Sequence, residues 1–317
     1  YMFVDKFHGE YCKVYMNYDS CGLINRQGVE IIPCQYTDVN YPTEGLLLTQ
    51  LGEDFGYFDT LGNLVIPFRY KAASSFSEGL AVVALPIDSF DYAYGYIDRQ
   101  GNIAIPAQYQ YAYPFVEGHA VVKNYDRHGM IDHKNREVVP IKYEILTSMF
   151  MGLYFAGDED GVALYNAKNR ALTKPVYQGL QGYTEERILV IRDGKYGFLD
   201  LKGKEVIPCQ YDNATLFIES RTAVSKDGKW GILDRQGNVI LPLEYDNSGG
   251  WAAQGNLNVQ LSDFGTVNMQ GRIINDGFGG IEDGVAARAQ DKTKGYTFTT
   301  NLELGKFFPD KAKVSMP

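Results

Sequence analysis

The chain is poor in the residues that metal proteins and most enzymes rely on. Histidine and cysteine each occur four times in 317 residues. None of Cys12, Cys21, Cys34 and Cys209 forms a CxxC pair, and no histidine stands at zinc-finger spacing from them, which argues against a structural zinc site. Four cysteines at this length are also far below the density of a disulfide scaffold. No GxxxxGK[ST] or GxGxxG loop is present to cradle phosphates, and no serine sits in a nucleophile elbow. Long apolar runs are missing. Gly79 to Leu85 is about the longest and Pro86 ends it, short of the roughly 18 residues that a spanning helix takes. Basic excess is missing too: 30 Lys and Arg stand against 39 Asp and Glu, for a net charge of −9. Without a basic stripe, nucleic acid is excluded as the expected partner.

What the chain has is 34 glycines, 24 tyrosines and 17 phenylalanines against only 12 prolines. That palette favours strands and tight turns over helices. The first residue is Tyr1 rather than Met, so an upstream segment is expected to have been lost, and no signal peptide is visible in what remains.

The residues fall into an internal repeat, which decides the fold before any local reading does. The unit is Gly-x-Φ-Asp-x-x-Gly-x-x-Φ-Φ-Pro-x-x-Tyr, with Φ apolar. Gly95, Asp98, Gly101, Pro106 and Tyr109 make one copy, and Gly231, Asp234, Gly237, Pro242 and Tyr245 another. Copies begin at Gly22, Gly56, Gly95, Gly129, Ala163, Gly197, Gly231 and Gly265, 34 residues apart except for 39 between the second and third. Asn135 replaces the second glycine in the fourth copy, and the fifth is degenerate. A glutamate marker follows at a fixed offset: Glu44, Glu78, Glu117, Glu185 and Glu219. The period is also that of a helical hairpin repeat, but two glycines and a proline within fifteen residues would break two turns of helix.

Each unit predicts a short antiparallel meander. Lys229 to Leu233 reads as a strand, Asp234 to Gly237 as a hairpin turn opened by the aspartate, and Asn238 to Leu241 as the next strand. Pro242 is expected to end the ladder for want of an amide, and Tyr245 to lie in the turn beyond. Thr222 to Lys226 reads as a third strand turned back by Asp227-Gly228. Three strands alone are marginal, so neighbouring units must share a core.

Lys229-Trp230-Gly231-Ile232-Leu233-Asp234, with its variants Lys195-Tyr196-Gly197-Phe198-Leu199-Asp200 and Tyr94-Gly95-Tyr96-Ile97-Asp98, resembles the WG (KWG) repeat family. The likeness runs over about residues 5 to 305. Elsewhere the tryptophan slot holds Cys21, Phe55, Tyr94, His128, Tyr196 or Phe264. The resemblance implies a bacterial-type repeat protein, often surface-associated or multi-domain, with no assigned catalytic residues.

The expected fold is therefore all-β: one repeat domain over 1–317 of tandem antiparallel meanders, stacked as a curved solenoid or a closed propeller-like ring. Residues 1–21 read as a partial unit and 295–317 as another. Closure of the ring predicts Tyr11 to Tyr15 paired with Tyr296 to Phe298.

Most chemical candidates have a plainer structural reading. The hairpin aspartates (Asp59, Asp98, Asp132, Asp200, Asp234) read as turn caps rather than a metal ladder. The marker glutamates read as bonding local amides. Gly157-Asp158-Glu159-Asp160-Gly161 has calcium-loop character without EF-hand spacing, and it falls at a strand-joining turn. His128 and His133 flank Asp132, but His128 occupies the aromatic slot and reads as packed. The four cysteines read as small buried hydrophobes.

The five-residue insertion before the third unit is the strongest irregularity. It brings Asp88, Phe90, Asp91 and Tyr92, with Tyr111 and Tyr113 nearby, and these six form the candidate binding loop. Exposed aromatics among acids suit a protein partner or, alternatively, a glycan. The sequence thus predicts a non-catalytic scaffold for protein–protein interaction, with no cofactor or metal. Its place is expected to be a bacterial envelope-associated or multi-protein assembly; cell envelope, periplasm or secretion is favoured over cytoplasm.

Overall fold

The computed structural model describes residues 1–87, 92–218, 220–247, 256–260 and 265–268, and among them strands alternate with turns and no helix occurs. The first sheet holds β1 (Phe3–Val4), β2 (Tyr11–Asn17), β3 (Ser20–Asn25) and β4 (Glu30–Tyr36). The second holds β5 (Asp38–Val39), β6 (Leu46–Leu51), β7 (Asp54–Asp59) and β8 (Leu64–Tyr70). The third has β9 (Leu80–Pro86), β10 (Tyr92–Asp98) and β11 (Ile103–Tyr109). The fourth has β12 (Tyr111–Ala112), β13 (His119–Asn124), β14 (Arg127–Asp132) and β15 (Glu137–Tyr143). The fifth module supplies β16 (Ile145–Leu146), β17 (Leu153–Asp158) and β18 (Gly161–Asn166). The sixth sheet holds β19 (Leu180–Thr184), β20 (Arg187–Arg192), β21 (Lys195–Leu199) and β22 (Glu205–Tyr211). The seventh begins with β23 (Asn213–Ala214), β24 (Arg221–Lys226), β25 (Lys229–Asp234) and β26 (Val239–Asn247), and β27 (Asn256–Gln260) and β28 (Gly265–Asn268) extend it. In the six sheets other than the fifth, strands pair antiparallel with their neighbours in chain order.

Two compact units divide the chain: Tyr1–Asp158 with Asn166–Arg170, and Glu159–Tyr165 with Ala171–Pro317. In the first unit the apolar interior lies between consecutive sheets. Leu46, Leu48, Tyr57, Ile66 and Tyr70 of the second sheet meet Phe76, Ala81, Val83 and Ile97 of the third. Val82, Tyr96, Ile105 and Tyr109 of the third meet Phe115, Ala120, Val122 and Ile131 at the fourth. Middle strands are thus covered on both faces, which is why Ala81 to Ala84 are all buried rather than alternating. In the second unit, Phe198 and Ile207 meet Phe217, Val224 and Leu233 in the same way.

The hairpin turn forms as expected. Asp234 Oδ1 accepts the amides of Gln236 and Asn238 at 2.9 and 2.8 Å, and its carbonyl accepts the Gly237 amide at 3.0 Å. The turn glycine serves two needs at Gly62: its φ is +85°, and a Cβ there would lie 2.4 Å from the Ile31 carbonyl oxygen of the preceding sheet. Asn135 takes the same left-handed conformation at φ 60°, which asparagine tolerates better than most residues.

Three expectations are corrected. Proline does not end the ladder: β4, β8, β11, β15, β22 and β26 each run through Pro33, Pro67, Pro106, Pro140, Pro208 or Pro242. The proline sits at a register shift, as between Tyr94↔Tyr109 and Tyr96↔Ile105, where the bulge leaves its missing amide unneeded. The facing glycine makes room, for a Cβ on Gly95 would lie 2.6 Å from Ile105 O and 2.7 Å from Ala107 N. The frame tyrosine consequently stays in the strand and pairs with the aromatic slot, as in Phe55↔Tyr70 and Trp230↔Tyr245. Finally, residues 1–21 hold a two-residue strand and a long one, the same pair that β5 and β6 supply to the second sheet, but β2 has β1 on one edge (Phe3↔Tyr15) and β3 on the other, which leaves Tyr11 to Tyr15 without a free edge for the predicted pairing. The predicted partner, Tyr296 to Phe298, lies outside the described residues, as do 295–317 and nearly all of the eighth unit.

Candidate functional site

The third and fourth sheets meet at a run of tyrosines. β10 alternates its side chains, so Tyr92, Tyr94 and Tyr96 share one face, graded from exposed to buried. Tyr96 is interior: its ring packs edge-on against Phe115 at 5.0 Å and its hydroxyl donates to the Tyr113 carbonyl at 2.8 Å. Tyr94 stands in the aromatic slot opposite Tyr109. Its ring stacks on Tyr111 of the next sheet, with centroids 5.0 Å apart and planes 17° from parallel. Burial pushes the Tyr94 hydroxyl's pKa up, and the neighbouring Tyr111 hydroxyl adds to the effect. Tyr113 follows Tyr111 by two residues, just beyond β12, and its amide donates to Val121 O at 2.9 Å.

Three of these rings remain open to solvent: Tyr92 is 43% exposed, Tyr111 51% and Tyr113 45%. Lys123 lies across from Tyr111 in the β12–β13 pair and holds Asp126 at 2.8 Å. The hydrogen bond to Asp126 keeps the ammonium charged, with Tyr113 and Tyr111 as lesser contributors. Arg127 is paired with Glu144 at 2.7 Å, and Asn124 Oδ1 accepts the Gln110 amide at 2.9 Å. The rim is therefore charge-balanced, with open ring faces.

Of the six residues expected in the binding loop, Tyr92, Tyr111 and Tyr113 lie on this surface; Asp88, Phe90 and Asp91 lie outside the described residues. Sequence reasoning missed Tyr94, which it assigned to the packing slot, although the slot residue is what joins the two rows. It also missed Tyr125, at the tip of the β13–β14 turn and 92% exposed.

The remaining candidates carry framework duties. Asp59, Asp98, Asp132, Asp200 and Asp234 each accept two amides of their own turn, as capping required. The marker glutamates also bond amides, but not local ones. Glu44 accepts from Gly79, Glu78 from Gly118, Glu117 from Met151 and Gly152, and Glu185 from Ser220, at 2.7 to 3.2 Å. Each carboxylate thus caps the corresponding turn of the following sheet, a partner 34 to 40 residues away that a local reading overlooks. The glutamates themselves sit in that turn at positive φ, for example Glu78 at 53°.

His133 stacks on Phe115 at 4.1 Å and meets Glu78 Oε2 at 3.4 Å, while His128 fills the aromatic slot opposite Tyr143. The two histidines therefore have separate partners. Glu159-Asp160 forms the turn between β17 and β18. Among the described residues no three His, Cys, Asp or Glu side chains gather as a metal site. Cys12 and Cys21 are buried as expected; Cys34 and Cys209 are partly exposed, because they lie on the bulged strand, and all four thiols are free. Burial pushes the Cys209 thiol up to about 11, and Glu205 adds to that.

Comparison with known proteins agrees with the repeat. The WG-containing repeat model matches residues 22–53, 55–85, 94–127 and 196–230. A second family model, described as a motility related/secretion protein, matches residues 219–317. No curated protein matches the chain in sequence. Among solved structures, a eukaryotic initiation factor aligns with a TM-score of 0.52 at 10% identity, covering 84% of each chain. Hsv2p of Kluyveromyces lactis aligns at 0.39 and 7% identity, over 73% of this chain and 92% of that one. The dihydro-heme d1 dehydrogenase NirN aligns at 0.39 and 11% identity, over 85% and 74%. At these identities the likeness concerns fold alone.

Proposed function

We propose that this chain, a protein of the WG-containing repeat family, is a non-catalytic scaffold that binds a protein partner through the tyrosine surface of its third and fourth modules. The observation behind this reading is positional. The sites of Tyr92, Tyr94, Tyr111 and Tyr113 recur in every module, yet elsewhere they hold Glu53, Phe55, Ala72 and Ser74, or Asp126, His128, Ile145 and Thr147. Tyrosines fill all four only here, next to the insertion, and three of them are half-exposed without any need of the core. Large, rigid, amphipathic rings of this kind dominate protein contacts at low entropic cost. The non-catalytic reading is supported by the duties of the repeated carboxylates, which are engaged with backbone amides. The modules act as the support, successive sheets whose shared cores hold the rings in place. The match of residues 219–317 to a motility related/secretion protein is the ground for placing the scaffold in a motility or secretion assembly.

A photo-crosslinking amino acid installed at Tyr113 in the native host tests this, with Leu61 on the second-sheet hairpin, 80% exposed, as the control position. A discrete protein adduct at 113, absent at 61 and lost on Tyr92→Ala, is the expected result. Equal adducts at both positions, or none at 113, reject the reading.

A further inference from the structure

Resting on that reading, we infer that the tyrosine surface recognises a proline-rich segment of its partner in the polyproline II conformation. The first ground is charge. The cations around the rings are matched within the surface, Lys123 by Asp126 and Arg127 by Glu144. An acidic or phosphorylated ligand would have to displace them, whereas a neutral one does not.

The second ground is the kind of contact on offer. Tyr94 packs on the core and stacks nearly parallel on Tyr111, while Tyr92, Tyr111 and Tyr113 each keep about half of their surface open. Side-chain groups that would orient a sugar's hydroxyls are engaged already: Asn124 with the Gln110 amide, Lys123 with Asp126. What remains is ring surface plus phenolic hydroxyls at its margin. A polyproline II helix needs that combination: its rings pack on aromatic faces, and its carbonyls, which have no internal partners, take single donors.

The third ground is spacing. Two residues of a strand advance about 6.7 Å, and two residues of a polyproline II helix about 6.2 Å. Tyr92 and Tyr94 are two residues apart on β10, and Tyr113 follows Tyr111, the first residue of β12, by two. The two-residue step between rings thus suits the dipeptide step of a ligand whose conformation is already set, so little ordering cost opposes weak ring contacts.

The test uses the full chain and a labelled decaproline peptide followed by fluorescence anisotropy, with a Gly-Ser peptide of equal length as reference. Saturable decaproline binding, weakened at least about tenfold by Tyr111→Ala and severalfold less by Tyr111→Phe, which keeps the ring and loses one donor, is the expected outcome. Far-ultraviolet circular dichroism of both variants shows whether the fold is kept; if Tyr111→Ala perturbs it, Tyr92→Ala serves in its place. Equal affinity for both peptides, or no binding of either, overturns the inference. If the crosslink at 113 still yields a protein, the scaffold reading stands and only the ligand chemistry fails. Saturable binding of an oligosaccharide from a glycan panel, abolished by Tyr111→Ala, overturns both.

Discussion

The boundary between the second and third sheets and the boundary between the third and fourth share one interior and differ in surface. Tyr57 meets Phe76 at 5.0 Å and 61°, and Tyr96 meets Phe115 at the same distance and angle. Tyr57 donates to Ser74 O and Tyr96 to Tyr113 O, both at 2.8 Å. Outside, the first boundary carries Lys71 paired with Asp54 at 2.9 Å and Glu53 at 3.4 Å, an ordinary solvated ion cluster. The second carries Tyr92, Tyr94, Tyr111 and Tyr113. Repetition therefore fixes the core positions, whose shape recurs at both boundaries, and leaves the outer positions open to specialise one module without disturbing the stack.

The largest way to break the shared interior is at the bulge. Gly95→Ala places a Cβ within 2.6 Å of Ile105 O and 2.7 Å of Ala107 N, both backbone atoms that cannot step aside. Urea unfolding is expected to show a loss of about 3 kcal/mol or more. Gly118→Ala meets no atom within 4 Å and carries only its positive φ of 78°, for about 1 to 2 kcal/mol. Equal losses would show that the close crossing of the bulge and its glycine is not what shapes the sheet.

A smaller change sharpens the equivalence of the two boundaries. Tyr57→Phe and Tyr96→Phe each delete one buried hydroxyl and leave a carbonyl, Ser74 O or Tyr113 O, short of that donor. Both are expected to lose about 1 kcal/mol, the ordinary net value of such a bond. A loss at Tyr96 several times that at Tyr57 would mean that the tyrosine surface bears on the core beneath it.

Much of this framework is legible in the residues. Asp234-x-x-Gly237 specifies its own turn, because the cap and the left-handed residue act within five positions. Pro106 misleads when its strand is read alone, since a missing amide ends a regular ladder but is harmless at a bulge, and the bulge depends on Gly95 in the facing strand. The short strands Asp38–Val39 and Tyr111–Ala112 are two residues long and leave no periodicity to detect. Glu78 shows a repeat offset but not its partner, because the Gly118 turn comes near only after the sheets stack. For the same reason the tyrosine surface is half legible: the insertion points to Tyr92, whereas the joining of Tyr94 to Tyr111 happens between sheets.

The smallest effect separates the hairpins of the two regions by charge. Asp59, in the second sheet, bonds Asn63, which is neutral; Asp132, in the fourth, also holds Arg136 at 2.6 Å. The Arg136 guanidinium, helped by its amide and that of Lys134, pulls the Asp132 carboxyl down to about 2. An unfolded aspartate titrates near 3.9. The folded value being the lower one, this contribution is complete above pH 3.9 and disappears as the pH falls through about 2. Asp132→Asn keeps the turn, since Asn25 Oδ1 accepts the Gln27 and Val29 amides in the same geometry at 3.0 and 2.9 Å. The melting temperature of the variant should lie slightly below that of the parent at pH 6, and the gap should close near pH 2. Because the pair is exposed, salt should narrow the gap as well, whereas the corresponding gap for Asp59→Asn should respond less to salt. Asp132→Asn and Asp59→Asn gaps with the same salt response would place the stabilisation in the turn amides alone and remove the distinction between the two hairpins.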